Sequence, residues 1–307
     1  MARPSENNPP TIDPVAAHRW AEFPQTVSPW LHEEVAQRMA QRLQAIRLPV
    51  ARWADWSPVR GGLAGHDRVA AHYPDAERFR VISGANNENA APESGAKSLW
   101  QRLRRQRPQA TDVRELPRGA VQLVWANMLA HGSAGPAALL QDWHRALAVG
   151  GYVMFSCLGP DTVREIHRLY ADMGWPVPGH AMTDMHDWGD QLVAAGFAEP
   201  VMDMERITLT FATPERLLQE LRELGRNLHP ARFGGLRGRA WHGQLLNALR
   251  EGLAMPGGHG ELALTFEIIY GHALKAAPRH AVQTETTIGL DDLRDSLRRR
   301  NTNLPPA

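Results

Sequence analysis

The sequence predicts an α/β fold: one mostly parallel sheet, finished by an antiparallel pair of strands, with helices on both faces. Three observations carry this. The stretch Gly119–Thr162 reads as strand, polar loop, helix, glycine stop and second strand. Val121, Leu123, Val124 and Trp125 form a short apolar run suited to a strand buried on both faces. Leu139, Leu140, Trp143 and Leu147 then recur at spacings of three and four behind Pro136, giving one apolar helical stripe. Second, strand-like and helix-like segments alternate from Val50 to Leu158. Third, Val201–Phe211 and Leu262–Tyr270 alternate apolar and polar residues with period two, as strands with two unlike faces do.

Each element follows in order. Residues 1–28 are rich in proline and polar groups and form an arm, whose His18, Trp20 and Phe23 imply that it docks. Ser28-Pro29 starts a helix with Leu31, Val35, Met39, Leu43 and Ile46 inside, and Pro49 ends it. Val50–Trp56 is the first strand, Ser57–Gly62 the turn after it, and Phe79–Ser83 the second strand. Residues 84–95 are turn-forming. The arginine-rich run Leu99–Arg107 reads as a solvated helix face or as a patch for phosphate or an acidic partner. A short strand near Val113–Leu116 precedes the central stretch. The helix after Pro136 ends at Gly150-Gly151, where glycine takes the left-handed cap, and Tyr152–Leu158 is the next strand. A helix runs from Thr162 to about Met173, and Thr183 caps another that closes at Gly196. Thr213-Pro214 opens a helix ending at Gly225. The basic connection 226–241 leads to a last helix, and the tail after Pro278 is polar and flexible. The expected organisation is an arm (1–28), one domain (29–277) with a helical insertion at about 212–260, and a tail (278–307).

Composition narrows the function classes. A formal charge of +1 gives no reason to expect nucleic acid or a membrane surface as partner. The single cysteine, Cys157, lies inside a buried strand and reads as a small hydrophobe in a reducing compartment. No stretch approaches the roughly 20 apolar residues of a membrane helix, and the start of the chain lacks the apolar core of a signal peptide. A cytoplasmic location is expected. The 14 histidines are scattered without metal-ligand spacing, so no metal is expected. Ligands of such sheets sit beyond the carboxyl ends of the strands. That directs attention to the loop at Asn127 and to Gly159–Thr162, where Asp161 and Thr162 either cap a helix or line a pocket. His186 stands between Asp184 and Asp187 as a cap, a structural hydrogen bonder or a pocket group. Arg226, Arg232, Arg237 and Arg239, with His229, make the long connection positive: an anion-facing surface or a solvated loop.

The order of elements resembles the class I S-adenosylmethionine methyltransferases. The segments FSCLGPDTVREI (155–166), DMHDWGDQLVAAGFAEPVMDMERITLTF (184–211), ELRELGRNLH (220–229), TFEIIYGHALK (265–275) and SPWLHEEVAQRMAQRLQAI (28–46) resemble the malonyl-acyl-carrier-protein O-methyltransferases of biotin synthesis. The resemblance implies a Rossmann-like, seven-stranded sheet and S-adenosylmethionine as cofactor. It further implies methyl transfer to a free carboxylate, and a malonyl-loaded acyl carrier protein as partner. It assigns Asp55, Gly61, Gly62 and Asn127 to the cofactor and Asp161, Thr162, His186 and the four arginines to the substrate. The chain departs from the family at its first strand, where ADWSPVRGG (54–62) replaces the glycine-rich D-x-G-x-G-x-G loop. The acidic residue that the family carries after the second strand is not evident as a motif, its candidates being Asn86, Asn87 and Glu88. Either the cofactor pocket is rebuilt around Gly61-Gly62, or the site has decayed and left a catalytically inactive protein with a carrier-binding surface.

Overall fold

Six strands of the sheet point the same way, and the last strand in sequence runs against its two neighbours at one edge. In this computed structural model the described residues are 11–82, 116–255, 257 and 260–277, with the backbone of 109–112. All but Ala277 belong to one unit, Met1–Ala276. The strands are β1 (Arg52–Trp56), β2 (Glu77–Ile82), β3 (Gln109–Asp112), β4 (Val121–Ala126), β5 (Leu147–Leu158), β6 (Ala198–Phe211) and β7 (Leu262–Leu274). They form a seven-stranded sheet in the order β3-β2-β1-β4-β5-β7-β6. β1 pairs parallel with both β2 and β4, and β7 lies antiparallel between β5 and β6. The helices are α1 (Pro14–Glu22), α2 (Trp30–Arg42), α3 (Pro58–Gly61), α4 (Leu63–His72), α5 (Pro136–Ala146), α6 (Arg164–Asp172), α7 (Met185–Ala194), α8 (Pro214–Leu224) and α9 (Arg239–Gly252).

Because strand side chains alternate between faces, each face of the sheet carries its own core. On one face Trp53, Leu123, Trp125, Tyr152, Met154, Phe266 and Ile268 pack with Leu31, Val35 and Met39 of α2, Val69 of α4 and Leu245 and Leu249 of α9. On the other, Trp56, Val124, Val153, Phe155 and Ile269 pack with Leu140 and Trp143 of α5 and Trp188 and Leu192 of α7. Trp56, Trp143, Phe155 and Trp188 touch in series at centroid distances of 5.6–6.4 Å. Cys157 is fully buried there, and burial raises its thiol well above the usual range, as expected of an inert core residue.

Several local expectations change. Gly150-Gly151 does not stop α5; the backbone turns extended at Leu147, and the glycines sit in an irregular stretch where β5 shifts register against β4. A side chain at Gly151 would stand 2.8 Å from the Gln122 carbonyl oxygen, which is why glycine is required. Asp184, not Thr183, caps α7, accepting from the amides of His186 and Asp187. The turn expected at Ser57–Gly62 is helical, α3. The third strand lies at Gln109–Asp112, ahead of its expected position. Residues 84–95, Leu99–Arg107 and the tail after Pro278 lie outside the described residues, as do Asn86, Asn87 and Glu88. α8 and α9 fill the connection between β6 and β7, where the helical insertion was expected.

Candidate functional site at the carboxyl ends of the strands

Among the described residues, three of the four non-glycine residues with positive φ lie just past the carboxyl ends of β1, β4 and β5. Ser57, Met128 and Val163 follow these strands, and all three take left-handed backbone conformations (φ 61, 50 and 50°). Side chains with a Cβ pay for that conformation, and such outliers gather at functional ends. Tertiary hydrogen bonds hold all three: the Ser57 amide donates to the Val81 carbonyl at 2.8 Å, the Val163 amide to the Thr265 carbonyl at 2.7 Å, and the Met128 amide to Ser156 Oγ at 3.0 Å.

Asn127 joins the pieces. Its Nδ2 donates to the His32 carbonyl at 2.8 Å and to the Gly61 carbonyl, and its Oδ1 accepts from Ser156 Oγ at 2.6 Å. β4, β5, α2 and the β1 turn therefore meet on one buried amide. His32 Nδ1 donates to the Arg60 carbonyl at 2.6 Å, and burial lowers the ring from 6.5 to about 4, so it is neutral with Nε2 as acceptor. His131, after β4, accepts the Leu158 amide on Nδ1 at 3.3 Å, while His180 Nε2 donates to the His131 carbonyl at 2.9 Å. Burial holds both of these rings below the usual histidine range.

Asp55 is 1% exposed, and its Oδ2 accepts from His66 Nδ1 of α4 at 2.7 Å. Burial raises its carboxyl, against the lowering effect of His66. Gly61 and Gly62 sit at the end of α3. A side chain at Gly61 would lie 3.0 Å from the Asn127 carbonyl oxygen, and Gly62 has φ +114°. The amides that open α4 are filled from within: Leu63 donates to Ser28 Oγ at 3.0 Å and Ala64 to the Glu33 carboxylate at 3.0 Å. A helix N-terminus after the first strand is where such folds receive an anionic group. Here α2 supplies that group.

The substrate candidates fall in separate places. Asp161 pairs with Arg206 at 2.7 Å, and buried Thr162 exchanges hydrogen bonds with the Glu267 backbone, so neither caps α6. His186 is exposed on α7, 3.5 Å from Asp184. Arg232 pairs with Asp13 at 2.7 Å and so fastens α1. Arg237 stacks over Trp241 at 3.9 Å and Phe233 at 4.5 Å. Arg239 is exposed at the start of α9. Arg226 stands 5.0 Å from the Trp20 ring of α1. Arg232 and Arg237 line one cavity of about 220 Å³ with Tyr170, Val177, Phe233 and Trp241. Arg237, Phe233 and Trp241 also line an adjoining space of about 390 Å³ beside Trp175 and Leu236. His32, Arg60, His66, His131 and Ser156 escape a sequence reading, because no motif or spacing separates them from core or surface residues. Among the described residues no group of three or more His, Cys, Asp or Glu side chains could hold a metal ion, and no helix is long and apolar enough to cross a membrane.

Comparison with known proteins decides the family. The chain is 38% identical, over 81% of its length and 85% of the relative's, to the malonyl-[acyl-carrier protein] O-methyltransferase of Gallionella capsiferriformans (strain ES-2). It is 37% identical, over 81% of its length and 84% of the relative's, to the protein of that name from Laribacter hongkongensis (strain HLHK9). The chain belongs to the malonyl-[acyl-carrier protein] O-methyltransferase family. No protein-family model matches it. Among solved structures it is similar to the YcgJ protein of Bacillus subtilis, 13% identical over 80% of this chain and 99% of that one, with a TM-score of 0.49.

The glycine cradle expected of a family member does not exist at this turn. What the chain offers there is a set of polar side-chain atoms. His32 Nε2, His66 Nε2 and Arg80 Nε are buried and have no hydrogen-bond partner among the described residues. Arg80 sits beside Asp55 in the β1–β2 register. Buried polar atoms are normally satisfied, so these fit a polar ligand held by side chains in place of backbone glycines.

Proposed function

We propose that this protein transfers a methyl group from S-adenosylmethionine to the free carboxylate of a malonyl-loaded acyl carrier protein, in the cytoplasm. The observation that carries the reading is the 38% identity to a relative of that name over 81% of the chain. When bound, S-adenosylmethionine supplies an electrophilic sulfonium methyl group. Its polar parts would be held by His32, His66 and Arg80, which α2, α4 and β2 bring to the carboxyl ends of β1 and β2. Asp55 and Asn127 position this set: Asp55 orients His66, and Asn127 fixes α2 to the β1 turn.

The acceptor asks little of acid–base chemistry. A free carboxylic acid, with a pKa near ~4, is already anionic near neutral pH. The chain's task is to align that oxygen and keep water away from it. α1 contributes by lying across the connection 226–232: the Asp13 amide donates to the Leu228 carbonyl at 2.8 Å, and Ala181 donates to Thr11 Oγ1 at 3.0 Å. The trough of Trp175, Phe233, Leu236 and Trp241, edged by Arg232 and Arg237, suits an acidic carrier protein. Its apolar centre supplies contact area, and its charged rim speeds encounter.

One observation favours the second reading, a catalytically silent carrier-binding protein: α3 replaces the glycine loop, and Glu33 and Ser28 fill the amides behind it. Titration calorimetry with S-adenosylmethionine and S-adenosylhomocysteine, followed by intact-mass analysis of malonyl-carrier protein, separates the two. Binding together with a mass gain of one CH2 on the carrier is expected. Folded protein that gives no heat with either nucleoside, yet binds the carrier, would establish the silent reading instead.

A further inference from the structure

Two arginines from distant parts of the chain converge on one aromatic ring. The Arg60 guanidinium lies 4.2 Å from the centre of the Trp20 ring and that of Arg226 5.0 Å from it, with Phe23 5.6 Å from Arg226. Trp20 and Phe23 stack at 5.7 Å, so the aromatic floor is continuous. Both cations hydrogen-bond to main-chain carbonyls. Arg60 Nη2 donates to Trp20 at 2.5 Å and to Phe23 at 2.9 Å, and Arg226 Nη1 donates to Gly225 at 2.8 Å and to Arg222. Arg60 Nη1 is buried and has no partner among the described residues. Burial and the like charge of Arg226 lower Arg60 from 12.5 to about 10, and burial, then Arg222, lowers Arg226.

Carbonyl oxygens at the end of a helix offset only about half a unit of charge. Two guanidinium groups sharing one ring are therefore left with positive charge to spare and an unused donor. The planar fork of arginine matches a carboxylate in two-point contact, and an aromatic floor holds the fork flat. Arg60 lies in α3, directly after β1, so its side chain brings a charge to the carboxyl end of that strand.

We propose that Arg60 and Arg226, laid over Trp20, are a receptor for a carboxylate, and that its occupant is the free carboxylate of the acyl group on the carrier. The proposal rests on the acceptor chemistry proposed above. It makes α1 part of the substrate site: the helix and its C-cap supply the ring beneath both cations and the carbonyls that aim Arg60. The discrimination it provides is between an acyl chain ending in a carboxylate and one ending in a methyl group.

The test is titration calorimetry of the full chain with malonyl-carrier protein and with acetyl-carrier protein, which lacks the free carboxylate. The wild type should prefer the malonyl form by about tenfold or more, the scale of one charge-assisted two-point contact. Arg60→Met and Arg226→Met should each reduce that preference severalfold while leaving acetyl-carrier affinity nearly unchanged. Arg60→Lys should keep only part of it. Equal weakening toward both carriers would show that Arg60 merely pins α1 and would overturn the proposal. So would a wild-type preference that survives in both Met variants. A wild type with no preference for the malonyl form would overturn the proposed function along with the receptor. The other source of a carboxylate is the methionine part of the cofactor. S-adenosylhomocysteine and 5′-methylthioadenosine, titrated into the same variants, identify it: loss confined to the former, with the malonyl preference intact, would assign the arginines to the cofactor and overturn the acyl assignment.

Discussion

His66 Nδ1 meets Asp55 Oδ2 at 2.7 Å in a pair whose side chains are 1% and 2% exposed. The pair ties the last turn of β1 to α4 beneath the ligand end of the sheet. Removing one partner of such a pair leaves a polar or charged group buried without compensation. His66→Ala should therefore cost about 3–5 kcal/mol, read by chemical denaturation. Asp55→Ala with His66→Ala should recover part of that loss, since the double variant strands neither group. A double variant as unstable as the sum of the single ones would show that the two side chains act independently.

Asn127 is 1% exposed, and its amide serves three partners. Asn127→Ala removes donors from the His32 and Gly61 carbonyls and the acceptor of Ser156. The expected loss is about 2–4 kcal/mol, the cost of stranding buried groups. Asn127→Asp should be at least as damaging, because a carboxylate cannot donate to two carbonyls. A Tm unchanged by both substitutions would mean that water replaces the side chain freely.

α2 and α4 cross at a point where a side chain on Gly65 would lie 2.5 Å from Ala36 Cβ. Overpacking between two helices costs about 1–3 kcal/mol. Gly65→Ala should lower Tm accordingly, and Ala36→Gly in the same chain should restore most of the difference. Absence of rescue would place the strain elsewhere than at this crossing.

His32 is neutral when folded, with its pKa lowered by burial from 6.5 to about 4. A base whose folded pKa is depressed takes its proton more readily in the unfolded chain. Its contribution to stability is therefore full above pH 6.5 and is lost as pH falls from 6.5 toward 4. The loss available from that shift is on the order of 3 kcal/mol. His32→Asn can still donate to the Arg60 carbonyl and does not titrate. Its Tm should fall less steeply than that of the wild type across this range, and parallel curves would show that His32 is not held neutral in the fold.

Much of this molecule was legible in one dimension. The apolar run at Val121–Trp125, the stripe behind Pro136 and the alternation in Val201–Phe211 and Leu262–Tyr270 are periodic signals, and periodicity survives in a sequence because each element must bury one face. The helices after Ser28, Thr162 and Thr213 were equally clear. The segments that resemble the family lie largely on those elements, so membership was readable too. Local errors came where two short-range rules compete. Glycine at 150–151 serves a strand irregularity as readily as a helix cap, and Thr183 stands beside a better cap in Asp184.

The mostly parallel sheet, its reversed last strand and the helices between the last two strands follow from the periodic pattern of the chain. Which side chains meet at the carboxyl ends of the strands depends on folding in three dimensions. Asp55 is turned to His66, Arg232 to Asp13, and Arg60 and Arg226 to Trp20, across separations of 11, 219, 40 and 206 residues. Such pairings leave no period and no spacing, because a hydrogen bond depends on position in space and not on distance along the chain. The fold brings together residues that local patterning leaves unrelated, and the chemistry of the site resides in those meetings.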